Sequence, residues 1–321
     1  MTLFLLALLA GLALLTWSSD KFVEGAARLA HLTGISPLVV GIIIVGFGTS
    51  APELLVSANA AFSGSPGMAL GNAIGSNIAN IALILGATAL IALLPVRRSM
   101  LKLEMPVLFA AAFLSWWLLA DDFVSRIDGA ILMIALFFVL GLLLKMAGKE
   151  NDLPIAAAST EVDIPTMSMN MAVFWTVAGL LLLVLGSRLL VWGGSGIASA
   201  MGVSDLVIGL TIVAIGTSLP ELAASVASAR KGVSEMAVGN IVGSCLFNNL
   251  GVIGLAALIH PLATPSEVLA RDLPVMVGLY VLLIIFMFTP PARNAINRWE
   301  GLILLLLFAG YQLLVYQQSV A

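Results

Sequence analysis

Apolar residues fill this chain in ten stretches, at about 2–31, 36–62, 67–94, 104–120, 127–147, 169–200, 204–229, 235–259, 272–289 and 299–317. Most reach the roughly 18–20 residues that a helix needs to cross the hydrocarbon core of a bilayer. The pattern predicts an all-α polytopic membrane protein of ten transmembrane helices in two groups of five. Between the groups, residues 148–168 are the one hydrophilic connection of any length, with Lys149, Glu150, Asp152, Pro154, Glu161, Asp163 and Pro165. The expected organisation is a first five-helix unit at 1–147, a linker at 148–168 and a second five-helix unit at 169–321.

Polar positions inside the apolar stretches are few and patterned. The second stretch carries Thr49, Glu53 and Ser57 at i, i+4, i+8, and the seventh carries Thr217, Glu221 and Ser225 at the same spacing. Such positions share one helix face. The third carries Asn72, Ser76 and Asn80, and the eighth Asn240, Ser244 and Asn248. Each glutamate sits in a near-identical phrase, Gly48-Thr-Ser-Ala-Pro-Glu-Leu54 and Gly216-Thr-Ser-Leu-Pro-Glu-Leu222. Sliding the chain by 168 residues aligns 34–86 with 202–254 without a gap, with more than two in five positions identical. Because each group holds an odd number of spans, the second enters the membrane from the opposite side, which makes the repeats inverted. That is a common plan of secondary transporters.

A charge at bilayer depth costs at least ~2.5 kcal/mol, so it persists facing a partner, an ion or a water-filled cavity. The Glu53 and Glu221 pair therefore reads as an ion site. Pro52 and Pro220 lack the amide hydrogen that would bond back to Gly48 and Gly216, so the helix is expected to kink before each glutamate. Carbonyls of Gly46–Gly48 and Ala214–Gly216 are then expected to turn toward a cation. Carboxylate, hydroxyl, amide and main-chain oxygens suit Ca²⁺, with roughly 6–8 oxygen ligands, and Na⁺ can share such a cage. For Ser57, Ser225, Asn72 and Asn240, a role as interhelical hydrogen-bond glue weighs equally. Gly71-x3-Gly75 and Gly239-x3-Gly243 allow close helix approach.

Composition agrees, with 61% hydrophobic and 10% charged residues. A soluble domain normally carries about 25% charged residues. The net charge of −3 comes with no basic patch, which leaves nucleic acid out as a partner. The single cysteine, Cys245, excludes an intramolecular disulfide and reads as a packed thiol. The first 17 residues lack a basic leader and a cleavage site, so they are expected to be a retained first helix. With no nucleotide-binding loop, any pumping must draw on ion gradients. An N-terminus outside puts Arg97, Arg98, Lys102, Lys145, Lys149, Arg230, Lys231, Arg293 and Arg298 in inside loops, against Arg126 and Arg271 outside. Both termini are thus expected on the non-cytoplasmic side, with the linker in the cytoplasm. Asp20, Lys21, Glu24 and Arg28 read as a solvated or snorkelling cluster rather than a gate.

At the two glutamate phrases, and at Gly-Asn-Ala-Ile-Gly-Ser-Asn-Ile-Ala-Asn and Gly-Asn-Ile-Val-Gly-Ser-Cys-Leu-Phe-Asn, the chain resembles the Ca²⁺/cation antiporter superfamily. The resemblance points to its sodium/calcium exchanger branch and the bacterial inner-membrane members, and it covers essentially the full length. It implies four cation sites in a central cavity, with Glu53 and Glu221 bridging. Ligands implied around them are the hydroxyls of Thr49, Ser50, Thr217, Ser218, Ser76 and Ser244, the amides of Asn80 and Asn248, and main-chain oxygens at Gly46 and Ala214. It also implies a multi-pass protein of the inner (plasma) membrane, surrounded by lipid, whose first and sixth helices slide to alternate access. Ca²⁺ and Na⁺ are the implied transported ions, with no cofactor. Some potassium-dependent relatives place Asp where this chain has Asn248, which speaks against K⁺ co-transport, and Cys245 replaces an Asn of the signature.

The expected activity is Ca²⁺ export against Na⁺ entry. Ca²⁺/H⁺ exchange on the same scaffold is the nearest rival, because protons compete for the same carboxylates. A cation channel would also use an acidic constriction. No Ser/His or Asp pair stands at catalytic spacing, so no enzyme is expected.

Overall fold

The computed structural model describes residues 1–96, 100, 102–147, 166–202, 214–288 and 295–320. Its helices are α1 (Thr2–Thr33), α2 (Pro37–Thr49), α3 (Ala51–Phe62), α4 (Pro66–Ile91), α5 (Glu104–Leu119) and α6 (Arg126–Ala147). They continue with α7 (Met169–Ala200), α8 (Ala214–Thr217), α9 (Leu219–Arg230), α10 (Ser234–Ile259), α11 (Val268–Phe288) and α12 (Arg298–Val320). Four two-residue strands join them: β1 (Leu94–Pro95), β2 (Phe123–Val124), β3 (Leu262–Ala263) and β4 (Ala295–Ile296).

Among the described residues, seven helices are long and apolar enough to cross a membrane, and the bent pair α2–α3 makes an eighth. Two expected spans fall outside this count. The fourth, α5, stands at its expected place but has only 16 residues. The seventh, expected at 204–229, is seen from Ala214 onward as α8 and α9, and its first part lies outside the described residues. So do most of the expected linker, at 148–165, and the loop cations Arg97, Arg98, Lys149 and Arg293.

The repeat spacing is written into the backbone. Among the described residues the glycines with positive φ are Gly34, Gly64, Gly202 and Gly232, two pairs 168 residues apart. Each pair ends equivalent helices where a side chain would be strained. A π-helical turn opens at Ala79–Leu85 in α4 and, in register, at Phe247–Val252 in α10. The strands follow suit. β1 pairs antiparallel with β4, Leu94 opposite Ile296, and β2 pairs antiparallel with β3, Val124 opposite Leu262. Each ladder draws one strand from either half.

α4 and α10 form the centre, with 72% and 89% of their apolar stretches buried, against 28% for α1 and α7. The first part of α4 touches the π-helical turn of α10, and the first part of α10 touches that of α4, so the two cross antiparallel. At α2 against α10, a Cβ on Gly239 or Gly243 would stand 2.3 Å from the carbonyl oxygens of Leu38 and Ile42. Bare backbones meet there, as the Gly239-x3-Gly243 spacing predicts. The equivalent partner of Gly71 and Gly75 falls at 203–213, outside the described residues.

The long helices α1 and α7 pack antiparallel along a glycine seam. A Cβ at Gly25 would lie 2.6 Å from the Thr176 amide nitrogen, and one at Gly179 would lie 2.7 Å from that of Phe22. An ion cluster ties α1 to the turn after α9: Lys231 Nζ is 3.0 Å from Glu24 and 3.7 Å from Asp20, and Lys21 lies 2.8 Å from Glu24. These charges, expected as a solvated face, bridge two elements.

Candidate cation site

The local fold at each glutamate follows from its proline. Helix α2 stops at Thr49, the chain bends by 43°, and α3 restarts at Ala51 with Pro52 in its first turn. There the missing N–H costs nothing, since the first four amides of a helix have no internal partner. α8, α9 and Pro220 repeat the arrangement. Glu53 and Glu221 thus occupy the first turns of α3 and α9, where the helix dipole favours a negative charge. Both are 1% exposed.

Equivalent clamps hold them. Asn72 Nδ2 donates to the Glu53 main-chain oxygen at 3.0 Å and to Ser57 Oγ at 2.9 Å. Asn240 Nδ2 donates to the Glu221 oxygen at 3.2 Å and to Ser225 Oγ at 2.9 Å. These four residues therefore fasten helix to helix, the role the sequence weighed equally with ion binding.

The halves then interlock. Thr49 Oγ1 donates to Asn240 Oδ1 at 3.0 Å and stands 3.5 Å from Ser244 Oγ, which in turn donates to the Gly46 carbonyl at 3.4 Å. Ser50 Oγ donates to Glu221 Oε1 at 3.4 Å. Ser218, the counterpart of Ser50, stands beside Glu53 but falls short of a hydrogen bond, so its hydroxyl is unpartnered among the described residues. Thr217 ends α8 and Ala214 begins it. Ser76 and Asn80 lie on α4, and Asn80 and Asn248 occupy equivalent places in the two π-helical turns, a distortion frequent at functional sites.

Several buried polar atoms have no hydrogen-bond partner among the described residues, among them Oε2 of both glutamates and both Oδ1 and Nδ2 of Asn80 and Asn248. A buried polar atom left unpaired costs about 1–3 kcal/mol, so the unpartnered carboxylate oxygens suit a positive ligand. No group of three or more His, Cys, Asp or Glu stands together among the described residues. The donor set is two carboxylates plus neutral oxygens, which fits hard cations.

The Gly216 carbonyl, expected to turn toward a cation, accepts the Ser187 hydroxyl of α7 at 2.8 Å. The carbonyl released by Pro220 anchors α7 instead.

A second polar group escaped the sequence reading. Asn249 Nδ2 reaches Tyr280 Oη at 3.3 Å and the Cys245 carbonyl at 3.0 Å, while Ser115 Oγ donates to the Asn249 carbonyl at 2.9 Å. Cys245 is buried beside Asn80 and Tyr280, the packed thiol that the sequence suggested. The repeat could not reveal this group, because the residues equivalent to Asn249 and Tyr280 are Ile81 and Ala112. The only signal was the doubled Asn248-Asn249.

The family model described as sodium/calcium exchanger protein matches residues 3–145 and 171–317, one segment in each half. The chain belongs to the sodium/calcium exchanger family. CaxA of Alkalimonas amylolytica is 43% identical to this exchanger-family chain over 310 residues, covering 96% of this chain and 97% of CaxA. The inner membrane protein YrbG of Escherichia coli strain K12 is 35% identical over 272 residues, covering 84% of each. A structure of the sodium-calcium exchanger NCX_Mj, soaked with zero Na⁺ and Ca²⁺, superposes with a TM-score of 0.82 at 32% identity, covering 100% of this chain and 99% of that one. This family member is a mostly helical, multi-span membrane protein of a transporter class.

Proposed function

We propose that the chain is a secondary-active antiporter that exchanges Ca²⁺ for Na⁺ by alternating access, both ions competing for the Glu53–Glu221 cage. The observation that carries the reading is the duplicated cage itself: two buried glutamates, each with an oxygen unpartnered among the described residues, cross-linked through Thr49, Ser50, Asn240 and Ser244. Two carboxylates balance one Ca²⁺, and Na⁺ ions can neutralise the same pair in its place. In this reading Ser76, Thr217, Ser218, Ser244, Asn80 and Asn248 supply further oxygens, and Gly46 and Ala214 supply main-chain ones. The chain is built as ten spans in two inverted units, 1–147 and 169–321 around a cytoplasmic linker at 148–168, in the inner membrane with both termini non-cytoplasmic. Antiparallel packing of the repeat-related α1 and α7 supports the inversion.

Transport in reconstituted liposomes, with Na⁺, K⁺ and H⁺ gradients imposed one at a time, tests the proposal. An inward Na⁺ gradient is expected to drive ⁴⁵Ca²⁺ out, and a K⁺ gradient to leave it unmoved. Flux driven by a pH gradient and indifferent to Na⁺ would establish Ca²⁺/H⁺ exchange instead. Flux without any counter-ion would establish a channel.

A further inference from the structure

Two cavities lie against α11 and α12. One is an apolar groove of about 590 Å³, lined by Ile78 of α4 and by Gly278, Leu282, Leu307 and Gly310. A Cβ at Gly278 or Gly310 would meet nothing within 4 Å, so neither glycine serves helix packing, and together they leave room. The groove lies within the apolar spans of both helices, at a depth where the available filler is hydrocarbon.

The other, a polar cup of about 590 Å³ lined by Glu267, Arg271, Val315 and Gln318, adjoins the groove's Leu314 end through the next residue, Val315. Arg271 gives Nε and Nη2 to Asp272, at 2.6 and 3.1 Å, and Nη1 to Gln318 Oε1 at 2.6 Å. Tyr311 Oη donates to Asp272 Oδ1 at 2.9 Å, which fixes the pair. A guanidinium has five N–H donors, so two remain for an acceptor. Glu267, one helical turn before Arg271, is exposed, and its Oε2 accepts the Ser266 hydroxyl at 3.3 Å.

We propose that these two cavities together bind one zwitterionic aminophospholipid, with an acyl chain in the groove, its phosphate on the two spare Arg271 donors and its primary ammonium on Glu267. Charge decides the headgroup. Glu267, Arg271 and Asp272 together carry one net negative charge, which disfavours an anionic lipid and welcomes a headgroup offering both signs. Glu267 and Arg271 line the same cup, so a phosphate and an ethanolamine nitrogen on one headgroup can reach both. A choline nitrogen carries no N–H to donate to a carboxylate, so the site selects ethanolamine over choline. Because Met276 of α11 also accepts a hydrogen bond from Asn77 of α4 at 3.3 Å, a lipid seated here packs on a helix bonded to the one that carries Ser76 and Asn80.

The full chain is reconstituted in bilayers of equal parts phosphatidylethanolamine, phosphatidylcholine and phosphatidylglycerol, extracted gently and weighed by native mass spectrometry. One retained phosphatidylethanolamine per chain is expected, preferred about tenfold over either competitor, the scale of one charge-assisted hydrogen bond. Gly310→Leu fills the groove and is expected to abolish retention. Glu267→Gln, on an exposed side chain that leaves the helix pair intact, is expected to erase the preference over phosphatidylcholine while a lipid is still held. Absence of a retained phospholipid, preference for phosphatidylglycerol, or an unchanged lipid profile in Glu267→Gln overturns the proposal. None of these readouts involves ion flux, so the result stands apart from the transport reading.

Discussion

At the residue scale, the Glu53 and Glu221 carboxylates carry the argument. Glu53→Gln or Glu221→Gln keeps the shape and removes half of the charge opposing a divalent ion. Breaking a buried charge pairing costs about 3–5 kcal/mol, so Ca²⁺ affinity is expected to fall by at least about a hundredfold, measured by ⁴⁵Ca²⁺ binding to each variant. Wild-type affinity in either would remove the cage from the mechanism. Protons and cations seek the same oxygens, so Ca²⁺ flux is expected to fall as pH drops and to recover when Ca²⁺ is raised. A loss that added Ca²⁺ leaves unrepaired would speak against competition. These residues were legible because the repeat printed them twice. Asn249 and Tyr280 were not, since symmetry places Ile81 and Ala112 opposite them. The Gly216 carbonyl was misjudged for a related reason: its partner, Ser187, lies 29 residues away on another helix, and no local spacing announces it.

At the element scale, apolar length and proline position foretold most helices, including the break before each glutamate. The π-helical turns at Ala79–Leu85 and Phe247–Val252 left no such mark, because one extra residue per turn does not alter an unbroken apolar run. The glycine seam between α1 and α7 was also hidden, since glycines scattered through apolar helices do not say which helix they meet. It makes a sharp expectation. A leucine at Gly25 or Gly179 must displace backbone atoms 2.6–2.7 Å away, costing about 1–3 kcal/mol as overpacking does. Gly141→Leu on α6, where an added Cβ meets nothing within 4 Å, is expected to leave stability unchanged. Thermal unfolding of the three variants checks the contrast, and equal melting temperatures would deny the seam its role.

At the scale of the whole molecule, nine cationic residues against two predict the orientation. With Cys245 replaced by alanine, a cysteine at Gln317 is expected to react in intact cells with a reagent that cannot cross the membrane. Labelling only after permeabilisation would reverse the topology. The strand ladders bear on how such a molecule is made. β1 waits for β4, β2 waits for β3, and the bare ridge of α1 waits for α7. A ribosome that has released only the first 147 residues has therefore produced two unanswered edges and a helix without its mate, the kind of exposure that invites wrong pairing. Those pairings can close only once the second half of the chain has been made.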